Sequence, residues 1–290
     1  MTPQMTTTDD LVELLDLELL DKDLYRGRNE TAATKYPALF GGQVAAQALR
    51  AAAYSVPEGR MPNSLHGYFL RPGQVDRPVI LRVDRERDGG SFSARHVVAV
   101  QDGEVIFSMS ASFQVPKQAQ LWCPPCEVEM QPDELDEGGI IDRFEHTVDI
   151  RGLPPAVAYD PQDWPVPARM WVRSRQKLDA DPVLHACALA YMSDIGSGFG
   201  DGQAAGFPRG GPSIDHALWF HEPLRADEWV YIGMWPLKAG GGRGLYSGIM
   251  QDIDGRVGAT LTQEILFRRP DPGMGIAAGI ASPRGEPSGS

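Results

Sequence analysis

Two side chains in the second half of the sequence stand where residue type and position sit uneasily with a purely structural role, and a third can present a hydroxyl. Gln263 lies in phase with Val257, Ala259, Leu261, Ile265 and Phe267 in an alternating run, so its amide faces the packed side of a strand. A buried amide without partners destabilises by about 1–3 kcal/mol, so Gln263 is either a satisfied core residue or a group placed for function. Asp194 closes the helical run DPVLHACALAYMSD, where the helix dipole is negative and disfavours a carboxylate; something should compensate it. Ser213 opens the strand SIDHALWF and can present a hydroxyl, although serines at strand starts are commonly turn residues. A carboxylate can accept a proton, and an amide and a hydroxyl can hold a reactant by hydrogen bonds.

Other residues that look chemical fail on spacing. In WCPPC, Cys123 and Cys126 have the spacing of a redox pair, but that chemistry needs the first Cys at a helix N-terminus. Pro116, Pro124, Pro125 and Pro132 point to an extended linker instead, and no second Cys pair exists to complete a zinc site. Asp215 and His216 are neighbours on a strand and face opposite ways, so they form no relay with each other. His66, His96, His185 and His221 have no metal-ligand spacing, and no metal is expected.

Composition removes further classes. Across 290 residues, Lys+Arg 27 against Asp+Glu 39 gives a net charge of -12, which repels nucleic acid and anionic membrane surfaces. No stretch approaches the roughly 18 consecutive apolar residues of a spanning helix. The start MTPQMTTTDDLVELL lacks a basic-then-apolar leader and the end GEPSGS lacks a Ser-Lys-Leu address, so the expected location is cytoplasmic.

The elements that must position the three side chains come in two similar series. Residues 41–54 carry a small-residue stripe of Val44, Ala45, Ala48, Leu49 and Ala52 at helical spacing, and extended runs follow from 63 to 114 with a turn at Asp102-Gly103. The second half repeats the order, with a helical run over 181–192 and extended runs to 269. FLRP ends at Pro72 and FHEP at Pro223, an offset of 151, and the turns at Asp102-Gly103 and Asp254-Gly255 differ by 152. On that alignment Gln263 replaces Ala111, a polar residue where the first half is apolar. The loop Ile195–Gly211 is longer and richer in Gly than its counterpart SVPEGRMP, which suits either substrate approach or a plain surface connection. We expect an α+β chain with one continuous sheet: a first unit over 1–117, an exposed linker over 118–140, a second unit over 141–270 carrying the functional residues, and a disordered tail over 271–290.

The motifs FGGQVAAQAL, LHGYFLRPG and RDGGSFSARHVVAVQDGEVIFSMSASFQ, with LAYMSD, SIDHALWFH and TLTQEILFR, resemble the type II acyl-CoA thioesterases over nearly the whole chain. The stretch between Pro116 and Arg169 is the least similar. The resemblance implies a double hotdog, two repeats each of a long central helix wrapped by an antiparallel sheet. It also implies hydrolysis of medium- to long-chain fatty acyl-CoA to fatty acid and CoA, without a cofactor. That family's Asp, hydroxyl residue and Gln fall on Asp194, Ser213 and Gln263; the best-known bacterial members carry Thr where this chain has Ser213.

The chemistry implied is modest. A thioester expels a thiolate whose conjugate acid has a pKa near 8.5, so an oriented water suffices and no protein nucleophile is required. Asp194 would take the proton, Gln263 and Ser213 would hold the water, and backbone N–H groups at Gly41-Gly42 would face the oxyanion. Packing alone explains those glycines equally well. Arg169, Arg173, Arg175 and Lys177 are candidates for the CoA phosphates, or else a solvated face. Open sheet edges imply a homodimer or homotetramer. Two rivals stand beside this reading. A hotdog enoyl-CoA hydratase would use the stretch Asp179 to His185, where the His falls one residue late and so turns by about 100°. A non-catalytic acyl-CoA binding protein would not need Asp194 and Gln263 together.

Overall fold

Small side chains decide how the two main helices meet. In this computed structural model, which describes residues 7–8, 10–31, 36–117, 122–123, 128, 130–135, 144–153, 168–199 and 209–268, a short helix α1 (Leu11–Leu15) precedes α2 (Gly41–Tyr54) and α3 (Pro182–Met192). Ala45, Ala46, Ala48, Leu49, Ala51 and Ala52 of α2 are buried, and α3 is buried from Leu184 to Met192 because sheet and helices surround it. The helices run antiparallel. Gly42 at the start of α2 lies against the carbonyl of Tyr191 near the end of α3, while Arg50 Nη1 reaches Asp181, the residue that caps α3, at 3.0 Å.

The two starts differ. Pro182 and the side chain of Asp181, which accepts from the Val183 N–H at 2.9 Å, give α3 an ordinary N-terminus. At α2 the cap position is Phe40, which offers no side-chain hydrogen bond.

Around the helices the described residues form one 13-stranded sheet. Its strands are β2 (Glu18–Asp21), β3 (Leu24–Gly27), β5 (Met61–Phe69), β6 (Val79–Asp88), β7 (Phe92–Gln101), β8 (Glu104–Gln114), β9 (Val148–Gly152), β10 (Ala168–Ser174), β11 (Arg209–Ser213), β12 (Asp215–Phe220), β13 (Val230–Gly240), β14 (Arg243–Gln251) and β15 (Val257–Arg268). The order is β2-β3-β6-β7-β8-β5-β12-β15-β14-β13-β10-β9, with β11 also on β15. A separate parallel pair joins β1 (Thr7–Thr8) to β4 (Asn29–Glu30). Either side of the central β5–β12 pairing the order is the same, β5-β8-β7-β6 on one side and β12-β15-β14-β13 on the other. The turn at Asp102-Gly103 has both residues at positive φ (50° and 79°), the twist that a two-residue hairpin requires. On β15 the expected face is inward: Val257, Ala259, Leu261, Gln263 and Ile265 are all buried.

In the expected exposed linker Gln131, Asp133 and Glu134 are exposed, while two neighbours are held: the Trp171 indole N–H donates to the Met130 carbonyl at 2.9 Å and Pro132 is buried. Trp122 and Cys123 are exposed. Cys126, the remainder of the linker and the tail over 271–290 lie outside the described residues. Among the described residues no helix is long and apolar enough to cross a membrane.

Candidate active site

Asp194 follows α3 directly. Ser193 caps that helix, its N–H bonded to the Leu189 carbonyl and its hydroxyl oxygen 2.9 Å from the Ala190 carbonyl, and the next residue turns toward the start of α2. There the missing compensation is found. A Cβ on Gly41 would stand 2.6 Å from Asp194 Oδ2, so only glycine admits the carboxylate to the first turn of α2. Asp194 thus sits at the unfavourable end of its own helix and at the favourable, positive end of the neighbouring one, an effect of about 0.3–1 kcal/mol and more when partly buried.

The sheet supplies the other two groups. Ser213 ends β11, where a bulge in the pairing with β15 places it opposite Ile265. Gln263 stands on β15 between His216 of β12 and Tyr246 of β14, fully buried. Its amide nitrogen donates to Asp194 Oδ1 at 2.6 Å and to Ser213 Oγ, and Ser213 Oγ in turn donates to Asp194 Oδ1 at 3.2 Å. The three residues singled out in the sequence are therefore in mutual contact.

Hydrogen-bond logic fixes the rotation of that amide. Asp194 offers only acceptor oxygens, so the NH2 of Gln263 must face it. The carbonyl Oε1 then accepts from the Tyr246 hydroxyl at 2.7 Å and from His216 Nδ1 at 2.8 Å, which requires the proton of His216 to be on Nδ1. Burial, followed by the charges of Asp194 and Asp215, holds the Tyr246 phenol well above its ordinary pKa, so it stays a donor. Asp215 points elsewhere: its Oδ1 accepts the Glu264 N–H at 2.7 Å. Asp215 and His216 do face opposite ways, and His216, which spacing alone did not single out, belongs to the cluster. The signal that finds His216 is the same offset comparison that found Gln263, because Leu65 occupies the matching place in the first half.

Among the described residues the first half has no such cluster. Ser55 caps α2 as Ser193 caps α3, and Val56 follows where Asp194 would stand. Along the rung, Leu65, Ala111 and Arg95 pair where the second half has His216, Gln263 and Tyr246. Arg95, fully buried, fills the space and donates to Ser55 Oγ at 2.7 Å and to the Ser55 carbonyl at 3.0 Å.

The remaining candidates divide. Gly42 adjoins the cluster, in the first turn of α2. Arg169, Arg173 and Arg175 do not. A Cβ on Gly196, close to Asp194, would stand 3.1 Å from the Met170 methyl, so Arg169 and Arg173, one and three residues away along β10, take the opposite face. Arg173 and Arg175 reach Asp149 at 2.9 and 3.0 Å, and Arg173 lies over the Trp229 ring at 4.4 Å. His185 is in the first turns of α3, away from Asp194, with Nδ1 accepting the Ala226 N–H at 3.1 Å. Residues 200–208 of the glycine-rich loop lie outside the described residues.

Comparison with known proteins gives consistent matches. The family model for the acyl-CoA thioesterase N-terminal domain matches residues 31–114, and that for the C-terminal domain matches 123–267. Acyl-coenzyme A thioesterase 8 of Mus musculus is 37% identical over 286 aligned residues, covering 89% of this chain and 88% of that protein. A crystal structure of an acyl-CoA thioesterase II from Mycobacterium marinum superposes with a TM-score of 0.77 at 39% identity, over 90% of this chain and 98% of that one. A protein of unknown function with a hot dog fold from Alicyclobacillus acidocaldarius shares the fold at a TM-score of 0.74 and 20% identity, over 90% of this chain and 98% of that one.

Proposed function

The chain belongs to the acyl-CoA thioesterase family and is a thioester hydrolase, and from that premise we propose that it hydrolyses medium- to long-chain fatty acyl-CoA to free fatty acid and CoA. The residues proposed to act are Asp194, Ser213 and Gln263. The observation that carries this reading is the Gln263 amide joined to both Asp194 and Ser213 beside an uncapped helix start.

Asp194 accepts a proton from a water that Gln263 and Ser213 hold in line with the thioester carbonyl. The water oxygen bonds to the carbonyl carbon, and the developing oxyanion is met by free N–H groups in the first turn of α2, at Gly42. Collapse breaks the C–S bond and expels the CoA thiolate, a leaving group that needs little protonation at neutral pH. The support for Gly42 is the contrast between the helix starts: α3 is capped by Asp181 and α2 has no side-chain cap.

Two hotdog repeats, bounded at 1–117 and 141–270 with a linker over 118–140, form part of the same proposal, supported by the matching strand orders about β5 and β12. The sheet's terminal strands, β2 and β9, support assembly as a homodimer or homotetramer. The cytoplasm is the expected location on the sequence reading. Arg169, Arg173 and Arg175 are proposed for the CoA phosphates, supported by their positive charge on an acidic chain; since Arg169 and Arg173 face away from Asp194, the CoA moiety would have to pass the sheet edge. An unchanged KM for acyl-CoA in Arg173→Ala and Arg175→Ala would remove them.

The deciding experiment follows CoA thiol release from acyl-CoA esters of short to long chain, with wild type beside Asp194→Asn. Turnover that rises with chain length and collapses in the variant is expected; absence of thiol release from every ester would overturn the reading.

A further inference from the structure

We propose that His216 and Tyr246 are positioning residues that set the rotation of the Gln263 amide and tie it to the turn carrying Asp194. The inference rests on the hydrolase reading above and extends it to two side chains that touch neither Asp194 nor Ser213 in any bond described.

The amide of glutamine is nearly symmetric in shape, so packing alone does not choose between its two orientations. Hydrogen bonds choose. With Oε1 toward Tyr246 and His216 and the NH2 toward Asp194 and Ser213, two donors, two acceptor sites and four partners all match. Turned over, the amide would set its oxygen against a carboxylate and its N–H groups against the Tyr246 hydroxyl and the His216 N–H. Gln263 would then repel Asp194 and lose its donated bonds to Asp194 and Ser213.

Both supports also reach back to Asp194 through its own turn. His216 Nε2 lies 2.7 Å from the hydroxyl of Ser193, the residue before Asp194. The Tyr246 ring packs against Gly198 and Phe199, which follow Asp194 on the same loop, with the Phe199 ring centroid 6.2 Å away. Each side chain therefore bridges Gln263 and the segment that carries Asp194, His216 by hydrogen bonds at both ring nitrogens and Tyr246 by its hydroxyl on one side and ring packing on the other.

The two halves of the chain provide an internal control. Where the first half has Ala111 in place of Gln263, its rung neighbours are Leu65 and Arg95, so all three positions differ together. Plain core packing is satisfied by Leu65, which is buried with no polar atom to place. A buried His at the matching rung needs two hydrogen-bond partners and has them in Ser193 and Gln263.

The test is steady-state hydrolysis of a long-chain acyl-CoA by His216→Leu, His216→Asn, Tyr246→Phe, Gln263→Ala and the His216→Leu/Gln263→Ala double variant, with melting temperatures in parallel. Leucine suits the rung, as Leu65 shows; asparagine can return an N–H near the place of Nδ1; phenylalanine keeps the ring against Gly198. Tyr246→Phe should lower kcat about tenfold and His216→Leu about a hundredfold with KM within about twofold, and His216→Asn should recover about tenfold. The double variant should be no slower than Gln263→Ala, since His216 acts through Gln263. Wild-type kcat in both Tyr246→Phe and His216→Leu, or a double variant slowed by the full His216→Leu factor beyond Gln263→Ala, would overturn the positioning role while leaving the hydrolase reading intact. Inactivity of the wild type toward every ester would overturn both.

Discussion

Asp194 Oδ2 lies 2.6 Å from the point where a Cβ on Gly41 would stand, which brings the end of one helix and the start of the other into a single site. The sequence distance between them exceeds half the chain.

Gly41→Ala is therefore expected to displace the carboxylate and lower kcat by at least about tenfold. The same methyl would meet the Phe69 ring at 2.9 Å, so the variant should also lose about 1–3 kcal/mol of stability. Steady-state kinetics and urea unfolding on one preparation check both, and a wild-type kcat would count against the proposed geometry.

Asp194→Asn removes the proposed proton acceptor and keeps the shape, so kcat should fall about 10²–10⁴-fold with acyl-CoA affinity little changed. Ser213→Thr retains a hydroxyl and should remain within about tenfold of wild type, whereas Ser213→Ala should lose more. The reverse order at position 213 would exclude the hydroxyl from the reaction.

Stability should depend on His185. Burial lowers its pKa from the ordinary 6.5, with Asp227 opposing the effect. As pH falls the unfolded chain takes up this proton first, so stability is highest above about pH 6.5, declines as pH drops through that value, and levels off below the folded pKa. Glutamine at 185 can still accept the Ala226 N–H and does not titrate. Urea midpoints at several pH values between 5 and 7.5 should fall more steeply with acidification for wild type than for His185→Gln.

Cys187 should resist thiol reagents in the native protein. It is buried, and burial pushes its thiol up to about 12, so the thiolate fraction near pH 8 is about one in ten thousand. Cys123, which is exposed, should react readily. Peptide mapping after brief alkylation separates the two, and fast native labelling of Cys187 would show that α3 opens.

Much of the frame was legible along the chain. The helix over 41–54, the helix closed by Asp194, the inward phase of β15 and the turn at Asp102-Gly103 follow from periods of 3.6 and 2 and from turn chemistry, which depend on near neighbours in sequence. Offset comparison exposed Gln263 against Ala111, because a polar residue on an apolar face is visible without coordinates. The same comparison would have exposed His216 against Leu65. Tyr246 gives a weaker signal, since its counterpart Arg95 is also polar and buried.

What the chain alone could not decide is which groups meet. The need to compensate Asp194 was readable; that α2, begun at a glycine with no side-chain cap, supplies the compensation was not, because two helices can be packed in either direction without changing either pattern. Likewise, Arg173 and Arg175 read as a row of charge, and only the pairing of β9 with β10 sets them beside Asp149. Composition and periodicity fix local structure and the faces to be buried; hydrogen bonds across 69 residues, such as that between Gln263 and Asp194, exist only once the sheet has closed around the helices.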